Sequence, residues 1–134
     1  MKHFRNIYLI ILTALVVGGC KKDDPAPINS ESLVGSWKET ISVTSNCSDP
    51  SENENYSCDT DCFRLIFTSN TLTIGVDGDQ FTETYTYTIK GNTISYAGNN
   101  GVTISVTFEV TRTTLTLTRL LGGNCKNVSV FKKV

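Results

Sequence analysis

Histidine is almost absent from this chain of 134 residues, in which His3 is the single example. Because His3 lies in a segment that we predict to be removed on export, the mature protein is expected to contain no histidine. Such a protein lacks the commonest general base and the usual nitrogen ligand of metal ions. The composition therefore excludes a Ser-His-Asp or Cys-His site. We expect a protein that is not an enzyme and that holds no cofactor or metal.

Neither sign of charge is in excess, and no apolar run is long enough to span a membrane. The 12 basic residues are matched by 13 acidic residues, so the formal net charge is −1. This balance provides no electrostatic footprint for nucleic acid. The longest apolar run, residues 7–17, is shorter than the ~20 residues of a membrane-spanning helix. Hydrophobic residues make up 39% of the chain, which indicates one folded domain.

The N-terminal segment has the features of a processing signal. Lys2 and Arg5 precede the apolar run, and Val17-Gly18-Gly19-Cys20 follows it. A basic segment, an apolar core and small terminal residues form a secretory signal peptide. The last four residues also resemble the lipobox of bacterial lipoproteins, in which the cysteine becomes lipidated. This resemblance implies a signal peptide over residues 1–19, a lipid anchor such as palmitate on Cys20, and a flexible tether over residues 20–32.

The same resemblance implies where the protein is located. A lipoprotein of this kind is attached to the outer membrane in the cell envelope of a Gram-negative bacterium, and two or three acyl chains on Cys20 hold it stably. Lys22-Asp23-Asp24 resembles the surface-export signal of some of these lipoproteins, and a plain solvated linker is the alternative interpretation. Both the periplasm and the cell surface therefore stay open as locations.

From Val34 onward, apolar and polar residues alternate in eight short segments, which is the pattern of β-strands with one buried face. The turns between most segments are short, so neighbours in sequence should pair as an antiparallel meander. The alternation predicts that Ile41 and Val43 of the first strand, and Val128 and Val130 of the last, face the core. The predicted strands are 36–44, 63–68, 71–76, 80–89, 92–97, 102–110, 113–119 and 127–133.

Eight meandering strands can close into an up-and-down barrel, and a two-sheet sandwich is the competing architecture. The sandwich usually needs long crossovers, whereas the only long connection is residues 45–62, which we call the lid. We therefore predict an all-β, eight-stranded antiparallel barrel that is a monomer. The lid covers one end of this barrel, the mouth, and the tether enters at the other, the closed end.

The start of the first strand carries a family resemblance. Leu33-Val34 precedes Gly35-Ser36-Trp37, and Gly-x-Trp at the start of an eight-stranded meander resembles the lipocalin signature. Residues 33–134 resemble the small lipocalin-like domains of bacterial lipoproteins, although the chain is shorter than a full-size lipocalin. The resemblance implies that Trp37 fills the closed end and that a cation, Lys132 or Arg112, stacks on its ring.

Four cysteines remain besides Cys20, namely Cys47, Cys58, Cys62 and Cys125. An even number in a small exported domain indicates two disulfides. All four fall at the mouth, where the last strand of a closed barrel lies beside the first. This adjacency favours Cys47–Cys125 with Cys58–Cys62, and the alternative is Cys47–Cys58 with Cys62–Cys125.

Two charged residues fall in the apolar phase of their strands near the mouth. An inward Glu83 and Arg119 would orient a polar head group, while Phe81 and Tyr85 would supply apolar surface. The alternatives are a salt bridge at the rim and a bulge that turns Glu83 outward.

These features lead to two hypotheses about function. The first is a membrane-anchored, lipocalin-like binding module that holds a small apolar or amphipathic ligand at the barrel mouth. The second is an inhibitor of an extracellular protein, such as a lysozyme or a protease, that acts through the disulfide-pinned lid. The lid contains no Lys or Arg, and its acidic residues are Asp49, Glu52, Glu54, Asp59 and Asp61. Nucleic acid is not expected as a partner.

Overall fold

The alternating segments form strands close to their predicted bounds in a computed structural model that describes residues 30–78 and 82–134. The predicted signal peptide, Cys20, most of the tether and Phe81 lie outside the described residues. Within them, no helix is long and apolar enough to cross a bilayer. The elements are α1 (Ser30–Leu33), β1 (Gly35–Ser45), a 3-10 helix (Pro50–Glu52), β2 (Glu54–Ser57), β3 (Phe63–Phe67), β4 (Thr71–Val76), β5 (Thr82–Lys90), β6 (Thr93–Ala97), β7 (Thr103–Val110), β8 (Thr114–Gly122) and β9 (Cys125–Lys133).

The strands close into a barrel. Strands β3 to β9 pair antiparallel in chain order, and β1 joins β3 on one side and β9 on the other. Closure leaves few unpaired strand edges, which otherwise invite association with other chains. The prediction of an all-β, closed eight-stranded antiparallel barrel is therefore confirmed.

Strand β1 has a second neighbour because it extends beyond the end of β3. Its first half, Gly35–Lys38, pairs with β3, and its second half, Ile41–Thr44, pairs with β2. The prediction of the lid as a plain loop is therefore wrong, since it contains β2 and the 3-10 helix. Asp49 begins that helix by accepting a hydrogen bond from the backbone N–H of Ser51 at 2.9 Å.

A β-bulge in β1 changes which residues face the core. Glu39 pairs with Phe131, but the next pair joins Ile41 to Val130, so β1 carries one extra residue, Thr40, at this point. Because successive side chains of a strand alternate between faces, one extra residue exchanges the faces of the rest of β1. Ile41 is 41% exposed on the outside of the barrel. The prediction that Ile41, Val43, Val128 and Val130 face the core is therefore wrong.

The closed end is filled by large apolar side chains. Trp37 is completely buried, and its Nε1 donates a hydrogen bond of 2.8 Å to the carbonyl of Leu33 in α1. The short helix thus closes this end directly beneath the tryptophan. Phe67 packs edge-on against Tyr87, with ring centroids 5.4 Å apart. The buried hydrophobic cluster comprises Leu33, Trp37, Leu65, Phe67, Leu72, Tyr87, Ile94, Val106, Phe108, Leu115 and Phe131.

The cation that lies over Trp37 is Lys133, whose Nζ is 5.1 Å from the ring centroid. The expectation of Lys132 or Arg112 at this position is wrong, because Lys132 lies on the opposite face of β9 and Arg112 is exposed in the turn after β7. Gly35 makes room for the lysine stem. A Cβ at Gly35 would lie 2.8 Å from Lys133 Cε, and its φ of +137° strains any side-chain-bearing residue.

Candidate ligand-binding site

The half of the barrel interior next to the mouth, which we call the upper half, has a polar wall. This wall comprises Ser42, Thr44, Asn127 and Ser129. Phe131 is buried in the core, so Ser129 and Asn127, two and four residues before it on β9, point to the same side. Ser129 lies opposite Ser42 of β1, and Asn127 lies opposite Thr44. Sequence reasoning missed this wall, because it placed the valines of β9 inside.

Hydrogen bonds join the side chains of the polar wall. Asn127 Nδ2 donates to Ser42 Oγ at 2.9 Å and to Thr44 Oγ1 at 3.1 Å. The Ser129 hydroxyl lies 3.2 Å from Ser42 Oγ and 3.2 Å from Asn127 Oδ1. All four residues are only partly buried. Because they face into the barrel, the solvent that reaches them enters through the mouth.

Glu39 lies at the inner end of the polar wall and is only 4% exposed. Burial raises the pKa of this carboxyl above its ordinary value, and a hydrogen bond with Ser129 offsets part of the effect. Among residues 32–78 and 82–134, the ion pairs are Lys38–Asp77 and Arg64–Asp77. Glu39 therefore has no cationic partner in the described part of the chain.

We expect Glu39→Gln to weaken the pH dependence of stability. Since the pKa of Glu39 is raised in the folded state, the proton on Glu39 stabilises the fold fully below pH 4.5, its ordinary pKa. This stabilisation is lost as pH rises through the raised pKa. Glutamine cannot ionise and still accepts a hydrogen bond. The free energy of unfolding of the variant should therefore rise relative to that of the parent as pH increases from 4.5 through the raised pKa of Glu39. Urea unfolding at a series of pH values measures the difference. Glu109→Gln on the outer face of β7 is the control, and parallel profiles for parent and Glu39→Gln would contradict the expectation.

A second wall of the barrel interior, which begins beside Ser129 at Leu117, is aromatic and aliphatic. The Tyr85 and Tyr96 rings lie 5.2 Å apart, and Ile104 and Leu117 are partly buried beside the core. Burial raises the pKa of Tyr96, while the charge of Arg119 acts to lower it, so Arg119 lies close to this tyrosine. We call the part of the barrel interior that is lined by this wall and the polar wall the vestibule.

The rim of the vestibule holds the predicted pair Glu83 and Arg119. Glu83 pairs in register with Ile74, so no bulge turns it outward, and no ion pair joins it to Arg119 among the described side chains. Instead, its carboxylate accepts hydrogen bonds from the Tyr85 hydroxyl and from Asn99 Nδ2. Of the residues predicted to bind a ligand, Glu83 and Tyr85 are in direct contact, and Arg119 faces inward beside Asn127.

Removal of the Glu83 carboxylate should change the titration of one tyrosine. The hydrogen bond to Glu83, followed by burial and the carboxylate charge, raises the pKa of Tyr85 to about 12. In Glu83→Ala this pKa should fall towards the ordinary value of 10.0. Ultraviolet absorbance of tyrosinate during alkaline titration measures the shift. In the matched variant Glu109→Ala, the titration should not change. An identical curve for Glu83→Ala would show that this hydrogen bond does not form in solution.

Two disulfides hold the mouth. Cys47 is bonded to Cys125, and Cys58 is bonded to Cys62, which is the pairing that strand adjacency favours. A carboxylate oxygen of Glu52 lies within 4.8 Å of the Cys47 and Cys125 sulfurs, but both thiols are consumed by the bond between them. This group therefore offers a metal ion no thiolate.

A cavity of about 650 Å³ lies at the mouth between the lid and the hairpin that joins β8 to β9. Its lining includes Glu54 of β2, Leu121 of β8 and Thr44. Thr44 also belongs to the polar wall, and Glu54 lies opposite it on the same face. Thr44 therefore joins the outer end of the polar wall to this cavity, which is open to solvent.

Comparison with known proteins supports the fold. A search of solved structures finds a lipocalin-like protein from Bacteroides uniformis with a TM-score of 0.56 and 17% sequence identity, covering 77% of this chain and 99% of that chain. A redesigned β-barrel matches with a TM-score of 0.44 and 10% identity, over 78% of this chain and 94% of that chain. No protein-family model and no curated protein match the chain. The chain thus has the fold of a lipocalin-like protein.

Proposed function

We propose that this protein is a membrane-anchored, lipocalin-like binding module that holds a small amphipathic molecule in its vestibule. The fold supports a binding role, because lipocalin-like barrels typically bind ligands and do not catalyse reactions. The observation that carries the proposal is the difference in burial between the two ends of the barrel interior. The closed end is filled, whereas the inward side chains of the upper half are partly open to solvent.

The two walls of the vestibule support an amphipathic ligand. Ligand sites are usually lined by apolar surface with a few polar groups at fixed positions. Here the tyrosine and aliphatic wall offers apolar contact, and the polar wall offers hydrogen bonds across the same space. Glu83 and Arg119 lie at the rim, where they offer charged groups to the polar end of a bound molecule.

Single-chain amphiphiles test the proposal. The lipidated protein in phosphatidylcholine nanodiscs is titrated with octanol, octylamine and octanoate in a calorimeter, with empty nanodiscs as the blank. We expect saturable binding of at least one probe at one molecule per protein. Leu117→Trp fills the vestibule and should abolish this binding, whereas Thr118→Trp, on the outer face of the same strand, should not. Failure of all three probes to bind the parent would refute the proposal.

The anchor forms a separate part of the proposal. It rests on the resemblance of Val17-Gly18-Gly19-Cys20 to a lipobox. In a Gram-negative host fed a clickable palmitate analogue, the parent chain should be labelled and should sediment with outer membranes. Cys20→Ala should lose both the label and the sedimentation. Labelling that persists in Cys20→Ala would place the lipid on another residue, and a parent chain without label would contradict the anchor.

The inhibitor hypothesis keeps support from the construction of the lid. Pairing of β2 with β1 and the two disulfides hold the lid in place, and its acidic side chains are exposed. A fixed acidic surface suits a basic protein partner. Lysozyme serves as the probe, and its activity should fall on addition of the parent protein. Asp59→Asn with Asp61→Asn should weaken that effect more than Glu109→Gln does, and an unaffected lysozyme would remove this candidate.

A further inference from the structure

The polar wall differs from the rest of the vestibule because it consists of several uncharged hydroxyl and amide side chains in succession. On β4, β6 and β7 the inward side chains beside the core include Ile74, Tyr96 and Ile104, and the charged side chains Glu83 and Arg119 lie at the rim. In the described part of the chain, the adjoining strands β1 and β9 present inward hydroxyl and amide groups in two successive pairs, Ser42 with Ser129 and Thr44 with Asn127. Their backbones already pair along Trp37–Ser45, so these side chains are not needed to close the barrel.

Polar groups inside a barrel need hydrogen-bond partners, a requirement that valine or isoleucine in the same space would not have. The bulge at Thr40 produces this arrangement, since it turns Ile41 and Val43 outward and Ser42 and Thr44 inward. The bulge is itself secured, because Thr40 Oγ1 donates to the Val130 carbonyl at 3.0 Å and the Thr40 carbonyl accepts from Cys58 N at 2.9 Å. A fixed bulge that re-aims side chains is characteristic of functional sites in sheets.

The wall also has a direction. Glu39 lies beneath Ser129 at the inner end, and Arg119 pairs with Asn127 at the outer end. Phe131 and Asn127 are four residue steps apart, which separates these two levels by about 13 Å along the strand. Glu39 is nine-tenths buried and has no cation within ion-pair distance among the described residues, whereas Arg119 is exposed to solvent. A charge at the inner end is therefore screened less by water than a charge at the rim.

We propose that the polar wall is the head-group subsite of the vestibule and that Glu39 makes it selective for head groups that donate hydrogen bonds and carry no negative charge, such as alcohols and amines. This inference rests on the proposed function and adds the ligand class and orientation. The head group enters first and meets Ser42 and Ser129, and the alkyl chain lies against Tyr85 and Tyr96. At a pH above the pKa of Glu39, where this side chain is ionised, a carboxylate in the same place is repelled by Glu39 from beneath.

The same three octyl probes test the inference. Octanol and octylamine should bind more tightly than octanoate by at least about tenfold, because like charges placed together without full solvation are strongly unfavourable. Glu39→Gln should raise the affinity for octanoate by about tenfold, and its affinity for octanol should stay within about twofold of that of the parent. Glu109→Gln makes the same change of charge on the outer face and should leave all three affinities unchanged.

Hydroxyl pairs supply the second matched comparison. The double variant Ser42→Ala with Ser129→Ala removes an inward pair of hydroxyls. It should weaken the affinity for octanol by about threefold to tenfold, which corresponds to the loss of one or two hydrogen bonds. Ser95 and Ser105 form an outward pair with oxygens 2.9 Å apart, and their replacement by alanine should have no effect on binding. Intact disulfides by mass spectrometry and a cooperative melt establish that each variant folds.

The outcomes separate the two proposals. If octanoate binds most tightly and only Arg119→Ala weakens it, the head group stays at the rim. The inference about the polar wall is then wrong, while the binding function stands. If octanol, octylamine and octanoate bind equally and Glu39→Gln changes none of them, the selectivity is wrong. If no probe binds the parent, the proposed function itself fails.

Discussion

Replacing both Cys47 and Cys125 with alanine should cost the folded protein about 4 to 5 kcal/mol. The two residues are 78 positions apart, so their bond closes most of the barrel chain into one loop. The loop-entropy model gives a disulfide of this span roughly that value, because it restricts the unfolded chain. Domains of this size have only about 5–15 kcal/mol of stability in total. The double variant should therefore be close to unfolding at physiological temperature, and urea denaturation measures the loss.

The second disulfide is the matched control for this prediction. Cys58 and Cys62 are 4 positions apart, so replacing both with alanine should cost only about 2 kcal/mol on the same model. Both double variants remove two sulfurs at the mouth, and they differ mainly in loop length. Equal losses for the two variants would show that local contacts at the mouth, and not loop closure, set the contribution of these bonds.

The disulfides also show why much of the fold could be predicted. Alternation located eight strands, short turns made them neighbours, and eight antiparallel strands place the last strand beside the first. Cys47, two residues after the end of β1, is therefore expected near Cys125 at the start of β9, which favoured the pairing that the structure has. Trp37 was predictable in the same way, since it falls in the apolar phase at the start of the first strand.

The polar wall could not be predicted, because a bulge leaves no mark in the alternation pattern. In β1, Trp37, Ile41 and Val43 fit a single apolar phase in the sequence. The bulge at Thr40, which places Ile41 and Val43 on the other face from Trp37, is visible only in the strand pairing. In β9 the pattern is ambiguous, because Val128 and Val130 favour one face while Phe131 favours the other. The phenylalanine decides the phase through its burial in the core. This choice depends on contacts with other strands, which local sequence does not contain.

Strand β2 was missed for a related reason. Its sequence, Glu54-Asn55-Tyr56-Ser57, has no apolar alternation, and all four residues are exposed. It is a strand because the second half of β1 extends past β3 and offers unpaired backbone groups, which β2 pairs. Such a strand is determined by its neighbour and by the disulfides around it. The cation over Trp37 is Lys133 and not the expected Lys132, because neighbouring residues of a strand point to opposite faces. Of the two lysines, Lys133 is the one that faces the ring.

Trp37→Ala should destabilise the barrel by about 3–5 kcal/mol, the usual cost of truncating a large buried aromatic side chain. Trp37 is completely buried at the closed end, so little can move to fill the space that the ring leaves. The Leu33 carbonyl also loses its hydrogen bond, and Lys133 loses the ring beneath its ammonium group. Denaturant unfolding of parent and variant measures the total.

Two further variants divide this loss among its causes. Trp37→Phe keeps an aromatic ring but not the donor to Leu33, so its cost should be about 1–3 kcal/mol. Lys133→Met keeps an unbranched stem without the charge, and should cost about 1 kcal/mol or less, as a partly exposed cation–π contact does. Because the vestibule lies at the other end, octylamine binding by folded Trp37→Phe should match that of the parent. If Trp37→Phe is as damaging as Trp37→Ala, the bond to α1 and not the filled volume holds the closed end together.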